Sequence, residues 1–554
     1  MPEGSSRGRR RDTAALAIVS VIAATLMFWG LGRPYLWQDE AATAVLAERM
    51  MHAGKPLGYD GRNLITMDFS VPEDAEAMPL LVGEPRAAVS YFVRRGDFRE
   101  DTTWIGQPWG QFVAAGLSLA AWGKGTAAAR APFAAASVLT VVLLFLLVRG
   151  VMRDRLMAVV ATALLLANPY WVLHGRQCRY YALSGLFELL TLAAFVRWQR
   201  GGKYGTALLA ASAWCWFQCD FGTFWPGTGV LLLIGATMRP GLRAAVRTGA
   251  FIAASVAPFV VYYRLMGRIK TPWEGWADRF FGLSFNMNQF VVPLLLLVAV
   301  AAGLAVRRRS LEPQAKGLLA ACLAIVAITV PWSATVGPSH YHRYLVHATP
   351  LACLFASWGF IEAGTWLARA AGRAWLRPVA SVAMAGCVAL SPVASNVLTW
   401  AIPTDRSEMH PLGTWIRPEV GIALTTIFGH RPDPNREAIE LVKAQARPED
   451  EILVAYEDVP FLFYTDNPIR GGISAFRVQD PSAPPPRFFV ARPGVPLGQS
   501  PEFLLEIDRY RWETLPTQTP ALYWGNNPDP VAQSFWFYSD LPKIVVAKRI
   551  EDAP

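Results

Sequence analysis

The 554-residue chain is poor in charge: Asp, Glu, Lys and Arg make up 17% of it, against about 25% in soluble domains. That shortage excludes an ordinary soluble enzyme as the whole of the protein. A hydrophobic share of 53% likewise excludes disorder over most of the length. Cysteine is scarce too. The six present (Cys178, Cys215, Cys219, Cys322, Cys353 and Cys387) lie within or beside apolar runs, and none follows residue 400. They show no C-x-x-C or Cys/His ligand spacing, so neither a zinc site nor a disulfide framework is encoded. The formal charge of +10 suits nucleic acid or an anionic membrane equally well. The placement of the 52 Lys and Arg decides between them.

Apolar runs are what the chain has in plenty. Stretches long enough to span a bilayer as helices occur at 13–32, 131–148, 156–173, 181–196, 204–219, 224–238, 248–263, 289–306, 317–332, 344–361 and 379–400. A twelfth candidate, 107–122, is short and begins around Pro108. If it lies in the interface instead of crossing, six alternate connections fall on one side. They carry Arg7/Arg9/Arg10/Arg11, Arg149/Arg153/Arg155, Arg197/Arg200/Lys203, Arg239/Arg243/Arg247, Arg307/Arg308/Arg309/Lys316 and Arg369/Arg373/Arg377. Positive-inside bias makes that side cytoplasmic; were 107–122 to cross, most clusters would change sides. These six segments hold 20 of the basic residues and five acids, leaving 32 basic and 37 acidic residues elsewhere. The net positive charge is therefore a topology signal, and no nucleic-acid partner is expected.

The expected fold is a polytopic α-helical membrane protein of about eleven transmembrane helices. A basic cytoplasmic tail, 1–12, precedes a transmembrane domain, 13–400, whose first outer loop, 33–130, carries interfacial helices. The first span is read as a retained anchor, because the run continues into Gly32-Arg33-Pro34-Tyr35 without an A-x-A site. Residues 401–554 read as a mixed α/β domain on the outer side. A helical pattern covers 436–447, strand patterns cover 451–456 and 543–550, and the Pro-rich run PSAPPPR at 481–487 punctuates it. No nucleophile motif or phosphate loop occurs there.

Three clusters near the outer boundary carry chemistry. Asp39 and Glu40 follow the first span within a few residues. Adjacent carboxylates at a membrane surface suit a general base for an acceptor hydroxyl, or the start of a helix near Ala41 whose dipole they complement. Arg176 and Arg179 lie three apart in HGRQCRYYAL, on the side where arginine is expected to be rare. Two guanidiniums at headgroup depth suit a phosphate clamp, or simple snorkelling; Tyr180 and Tyr181 fit an aromatic belt equally well. Arg343 and Tyr344 lie in SHYHRYLVHATP. His340 and His342 alternate there, for which an interfacial structural role is favoured over metal binding. Arg33, Arg264, Arg268 and Lys270 are further outer cations, and Lys55, Asp60, Asp68, Glu73 and Asp74 are further charges in the first loop. Their spacing selects none of them.

Asp39-Glu40, Gln107-Pro108-Trp109, GTAAARAP (125–132), RQCRYYAL (176–183) and HRYLVHATP (342–350) occur in an order that resembles the glycosyltransferase C superfamily. The similarity is to the branch of protein O-mannosyltransferases and lipid A aminoarabinose transferases, over about residues 13–365, and 437–464 resembles the soluble tail of such bacterial enzymes. It implies a polyprenyl-phosphate-linked sugar donor and inverting transfer at the outer face of a bacterial cytoplasmic membrane, with 401–554 in the periplasm, to a glycan, lipid or protein acceptor. Asp39 would be the catalytic acidic residue with Glu40 beside it. Arg176 and Arg179 with Tyr180 would match the arginine motif, and Arg343 with Tyr344 the outer-loop motif. Many relatives have His-Pro-Pro where Gln107-Pro108-Trp109 stands, so no role is carried over for that motif. No metal or other cofactor is expected.

Two other functions use similar parts. A polysaccharide ligase or polymerase would draw on the same lipid carriers. A flippase or transporter usually carries ionisable groups or broken helices near mid-bilayer, where Glu188 is the main charged residue here.

Overall fold

The computed structural model describes the chain apart from residues 1–5, 66–89, 91, 95, 268–272, 308–309, 338–340, 400–401, 403–416, 430–432, 472–474, 478–484, 494–508, 522–541 and 551–554. Asp68, Glu73, Asp74, Arg268, Lys270, His340 and the first four residues of the Pro-rich run lie outside the described residues.

The chain begins with α1 (Ser6–Phe28), then α2 (Gln38–Ala53), strand β1 (Asn63–Ile65) and α3 (Gly110–Trp122). The bundle continues through α4 (Thr126–Met152), α5 (Arg155–Ala167), α6 (Pro169–His174), α7 (Tyr181–Gln199), α8 (Gly205–Cys219), α9 (Phe221–Thr237) and α10 (Leu242–Tyr262). It closes with α11 (Trp276–Asn286), α12 (Leu294–Arg307), α13 (Pro313–Val336), a 3₁₀ turn (His342–Ala348), α14 (Thr349–Ala370), α15 (Leu376–Leu390) and α16 (Val393–Thr399). Among the described residues six helices are long and apolar enough to cross a membrane, or seven if α11 and α12 with their intervening turn are one bent span. The count of eleven expected from apolar runs is thus not established, although a helix occupies each of those stretches.

The shortfall has local causes. At 156–173 the helix ends at Ala167, because Pro169 disfavours helical geometry at Asn168. Asn168 instead caps α6, its side chain accepting from Trp171 N at 2.9 Å. α11 runs on through a π turn (Met287–Val291) and meets α12 at 80° across the break at Val292-Pro293. Pro392 separates α15 from α16. The 107–122 segment is the 13-residue α3, which packs on α2.

Ion pairs show how the basic connections meet at one pole. Arg149 contacts Asp12 at 2.9 Å, Arg153 contacts Glu312 at 3.0 Å and Arg307 contacts Glu362 at 3.2 Å. Arg377 pairs with Asp154. Gln199 lies against Gly317, where a Cβ would approach its amide to 2.5 Å.

At the other pole sit α2, α3 and a C-terminal unit. The unit contains α17 (Pro418–Phe428), α18 (Pro434–Lys443), β2 (Ile452–Val454), α19 (Asp458–Tyr464), β3 (Ile469–Gly471), β4 (Ala475–Arg477), β5 (Phe488–Ala491), β6 (Trp512–Leu515) and β7 (Val545–Arg549). Its five-stranded sheet has the order β3-β2-β5-β7-β6, parallel across β3-β2-β5 and antiparallel beyond. The helix expected at 436–447 and the two expected strands are all present. β4 pairs antiparallel with β1, Leu64 opposite Phe476. One apolar core joins Leu36, Phe112 and Phe133 to Ile439, Phe461 and Val490. The C-terminal unit is therefore fused to the bundle through shared buried surface.

Candidate active site

The adjacent carboxylates of α2 diverge. Glu40 is fully buried and accepts Arg130 Nε at 2.8 Å and Arg130 Nη2 at 2.5 Å, a bidentate pair. Its Oε1 also accepts Cys178 N at 2.7 Å, and Oε2 the Trp37 N at 3.4 Å. Arg130 spends its other hydrogens on Leu31 O, Pro34 O and Tyr35 O. The pair knits α2, α4 and the 175–180 turn together. Every oxygen of Glu40 is committed, so its geometry is that of a strut. Arg130, inside GTAAARAP, was given no role from sequence; an arginine in an apolar segment was the available signal.

Asp39 points the other way, with 22% of its side chain exposed. Its Oδ2 lies 3.3 Å from Arg179 Nη2 and 3.3 Å from Arg343 Nη1. Among the described residues Oδ1 accepts no hydrogen bond. Arg179 Nη1 also reaches Asp39 O and Thr43 Oγ1, each at 3.3 Å. Arg343, on the 3₁₀ turn, lies over the Tyr341 ring at 4.2 Å, with Trp37 and Tyr344 at 6.0 Å; Arg179 lies 5.5 Å from the Tyr180 ring. The structure thus brings together Asp39, Arg179, Tyr180, Arg343 and Tyr344. Asp39 also occupies the first turn of α2, where its charge complements the helix dipole.

Arg176 is not the second arm of a clamp with Arg179. Its Nη1 donates to Leu26 O at 3.1 Å and its Nη2 to Trp29 O at 2.5 Å, closing the C-terminal end of α1. Burial, with Arg130 nearby, pulls its pKa down to about 10. The three-residue spacing places the two arginines on diverging faces of a turn, because 175–180 is not helical. The partner of Arg179 at Asp39 is Arg343.

Neighbouring polar groups set these positions. His342 Nε2 and His174 Nε2 are 2.8 Å apart, joining the 3₁₀ turn to the end of α6. His174 Nδ1 lies 3.1 Å from Gln177 Oε1. His342 thus pairs with His174, and among the described residues no three metal-ligating side chains gather. Gln107 accepts from Gln111 Nε2 at 2.9 Å, and Gln111 in turn faces Thr43 at 3.5 Å. Inside the bundle Glu188 meets His347 Nδ1 at 3.2 Å. The other described loop charges serve elsewhere: Arg33 caps α17, Arg264 pairs with Glu100, Lys55 with Asp101 and Asp60 with Arg49.

Long apolar helices and a sheet unit fused to them at one pole make up a multi-pass membrane protein with an ArnT-like fold. Among solved structures the chain is similar to ArnT from Cupriavidus metallidurans. It matches the form bound to undecaprenyl phosphate with a TM-score of 0.52 and 12% identity, over 98% of both chains. The apo form matches with a TM-score of 0.54 and 13% identity, again over 98% of both. The apo oligosaccharyltransferase of Archaeoglobus fulgidus aligns at 12% identity over 88% of this chain and 70% of that one, with a TM-score of 0.47. No protein-family model and no curated protein matches the sequence. The resemblance read from five short motifs therefore holds at the level of fold.

Proposed function

We propose that the protein transfers a sugar from a polyprenyl-phosphate donor to an acceptor at the periplasmic face, with inversion. The observation that carries this reading is the placement of Asp39 Oδ2 at 3.3 Å from both Arg179 and Arg343. Two largely buried guanidiniums on one carboxylate oxygen form a site in which a phosphate can take the place of that oxygen. The ArnT structure of the same fold holds undecaprenyl phosphate, which supports the lipid carrier. The basic connections that meet at the opposite pole support a periplasmic site.

In this reading the donor phosphate engages Arg179 and Arg343 and releases Asp39. The acceptor hydroxyl attacks the anomeric carbon as the bond to the phosphate oxygen breaks. The bonding pair leaves with the lipid phosphate, whose growing charge the arginines stabilise, and the hydroxyl proton passes to Asp39. A single displacement inverts the anomeric centre.

The test uses the full chain in lipid nanodiscs with undecaprenyl phosphate as the binding probe and undecaprenyl-phosphate-linked monosaccharides as donors. Binding that is lost in Arg343→Ala, and transfer that is lost in Asp39→Asn, are expected. Wild-type protein that neither binds the probe nor transfers from any donor would refute the proposal.

A further inference from the structure

The first turn of α2 lacks an accepting side chain at its cap. Its N-cap is Trp37, in extended geometry, and an indole only donates, so it offers no acceptor to the exposed amides of the turn. Asp39 sits on this turn, two residues from the cap. Local support is confined to the long bond from Trp37 N to Glu40 at 3.4 Å and to the acidic side chains of the turn.

The C-terminal unit, some 400 residues later, takes hold of that segment. Tyr35 N donates to Asp433 Oδ2 at 2.6 Å, and Leu36 N donates to the Tyr464 hydroxyl at 3.0 Å. Leu36 O accepts from Asn435 Nδ2 at 3.2 Å. Gln38 accepts from Val459 N at 3.3 Å through Oε1 and donates to Asp458 through Nε2. The Tyr35 and Tyr464 rings stack at 4.0 Å, 14° from parallel, and the Tyr35 hydroxyl reaches Glu440 at 2.6 Å. The holding groups are themselves fixed. The other hydrogen of the Asn435 amide goes to Glu457 Oε2 at 2.9 Å, and its oxygen pairs with Arg492. The Tyr464 hydroxyl meets Thr126 Oγ1 at 2.6 Å, at the start of the helix that carries Arg130.

From this convergence we infer that the C-terminal unit is a positioning device for the acid: Asp433, Asn435, Asp458 and Tyr464 hold residues 35–38 so that Asp39 faces Arg179 and Arg343. The inference rests on the transfer reading above. Positioning is a lever of the right size, because a displacement of about 1 Å in a reacting group can lower a rate by about 10²-fold. The loss falls on turnover, since the arginines that bind the phosphate belong to the bundle.

The experiment compares wild type with Tyr464→Phe in the full chain, reading amide exchange and steady-state transfer. Tyr464→Phe keeps the ring stack and removes only the hydroxyl. Exchange across 35–40 is expected to rise at least ten-fold, with 181–199 and the sheet unchanged. The turnover number is expected to fall at least ten-fold, with the donor KM within two-fold. Gln38→Met, which releases the seam from the α2 side, is expected to reproduce both effects. Unchanged exchange in both variants overturns the inference, as does raised exchange with unaltered turnover. If the wild type transfers from no undecaprenyl-phosphate donor, the transfer reading falls, and exchange alone then decides whether the C-terminal unit holds the acid.

Discussion

Arg343 Nη1 lies 3.3 Å from Asp39 Oδ2 across 304 residues of chain. Arg179 reaches the same oxygen at the same distance from a different connection. The carboxylate thus orients two largely buried guanidiniums toward one point.

Because Asp39 and Glu40 have different partners, their amides will fail differently. Asp39→Asn is expected to lower transfer by about 10²-fold or more while leaving thermal stability near wild type. Glu40→Gln strands Arg130 in the core and is expected to destabilise by about 3–5 kcal/mol. A thermal-shift series with a transfer assay on both variants checks this. An Asp39→Asn protein as active as wild type removes Asp39 from the role of base.

Arg343 is expected to resist replacement by lysine. A guanidinium can lie flat over Tyr341 and still present a planar edge to a carboxylate or phosphate, whereas an ammonium cannot do both. Undecaprenyl phosphate binding should weaken at least ten-fold in Arg343→Lys as well as Arg343→Ala. Full affinity in the lysine variant would show that charge alone suffices.

Arg176→Ala should behave as a structural lesion. Two carbonyls at the end of α1 lose their donors, at about 1–3 kcal/mol each when left unsatisfied. Thermal stability should fall, with affinity of the folded fraction for undecaprenyl phosphate within two-fold of wild type. A selective loss of binding would restore Arg176 to the phosphate site.

The seam beneath residues 35–38 should confer a pH dependence. Burial raises the Glu457 carboxyl from 4.5 to about 7, opposed by Arg492 and the Asn435 bond. Between those values the folded chain keeps a proton that the unfolded chain has released. Stability from this group is therefore present at low pH and declines as pH rises toward about 7, levelling above it. Thermal midpoints measured from pH 4 to 8 should show that decline in wild type and lose it in Glu457→Gln. An identical profile in both would exclude Glu457 as its source.

The residues of the candidate site were legible unevenly. Asp39, Arg179 and Arg343 stood out because charge at a membrane boundary is rare. Their mutual contact was not readable, and the grouping of Arg176 with Arg179 followed a helical spacing that a non-helical turn does not obey. Glu40 looked equivalent to its neighbour in sequence, and only the buried Arg130 separates the two. Tyr464 and Asn435 carry no local signal at all, being ordinary residues in a soluble stretch.

By itself the sequence determined where apolar helices form and which connections share a pole, because both follow from local composition and from the asymmetric placement of Lys and Arg. It also marked one helix and two strands of the C-terminal unit through short apolar runs. Only the tertiary structure decided which arginine faces which carboxylate, where Pro169 and Pro392 break an apolar run, and that the C-terminal unit grips residues 35–38. Those outcomes depend on side chains hundreds of residues apart meeting in three dimensions, where desolvated charges take the partner that packing brings within reach.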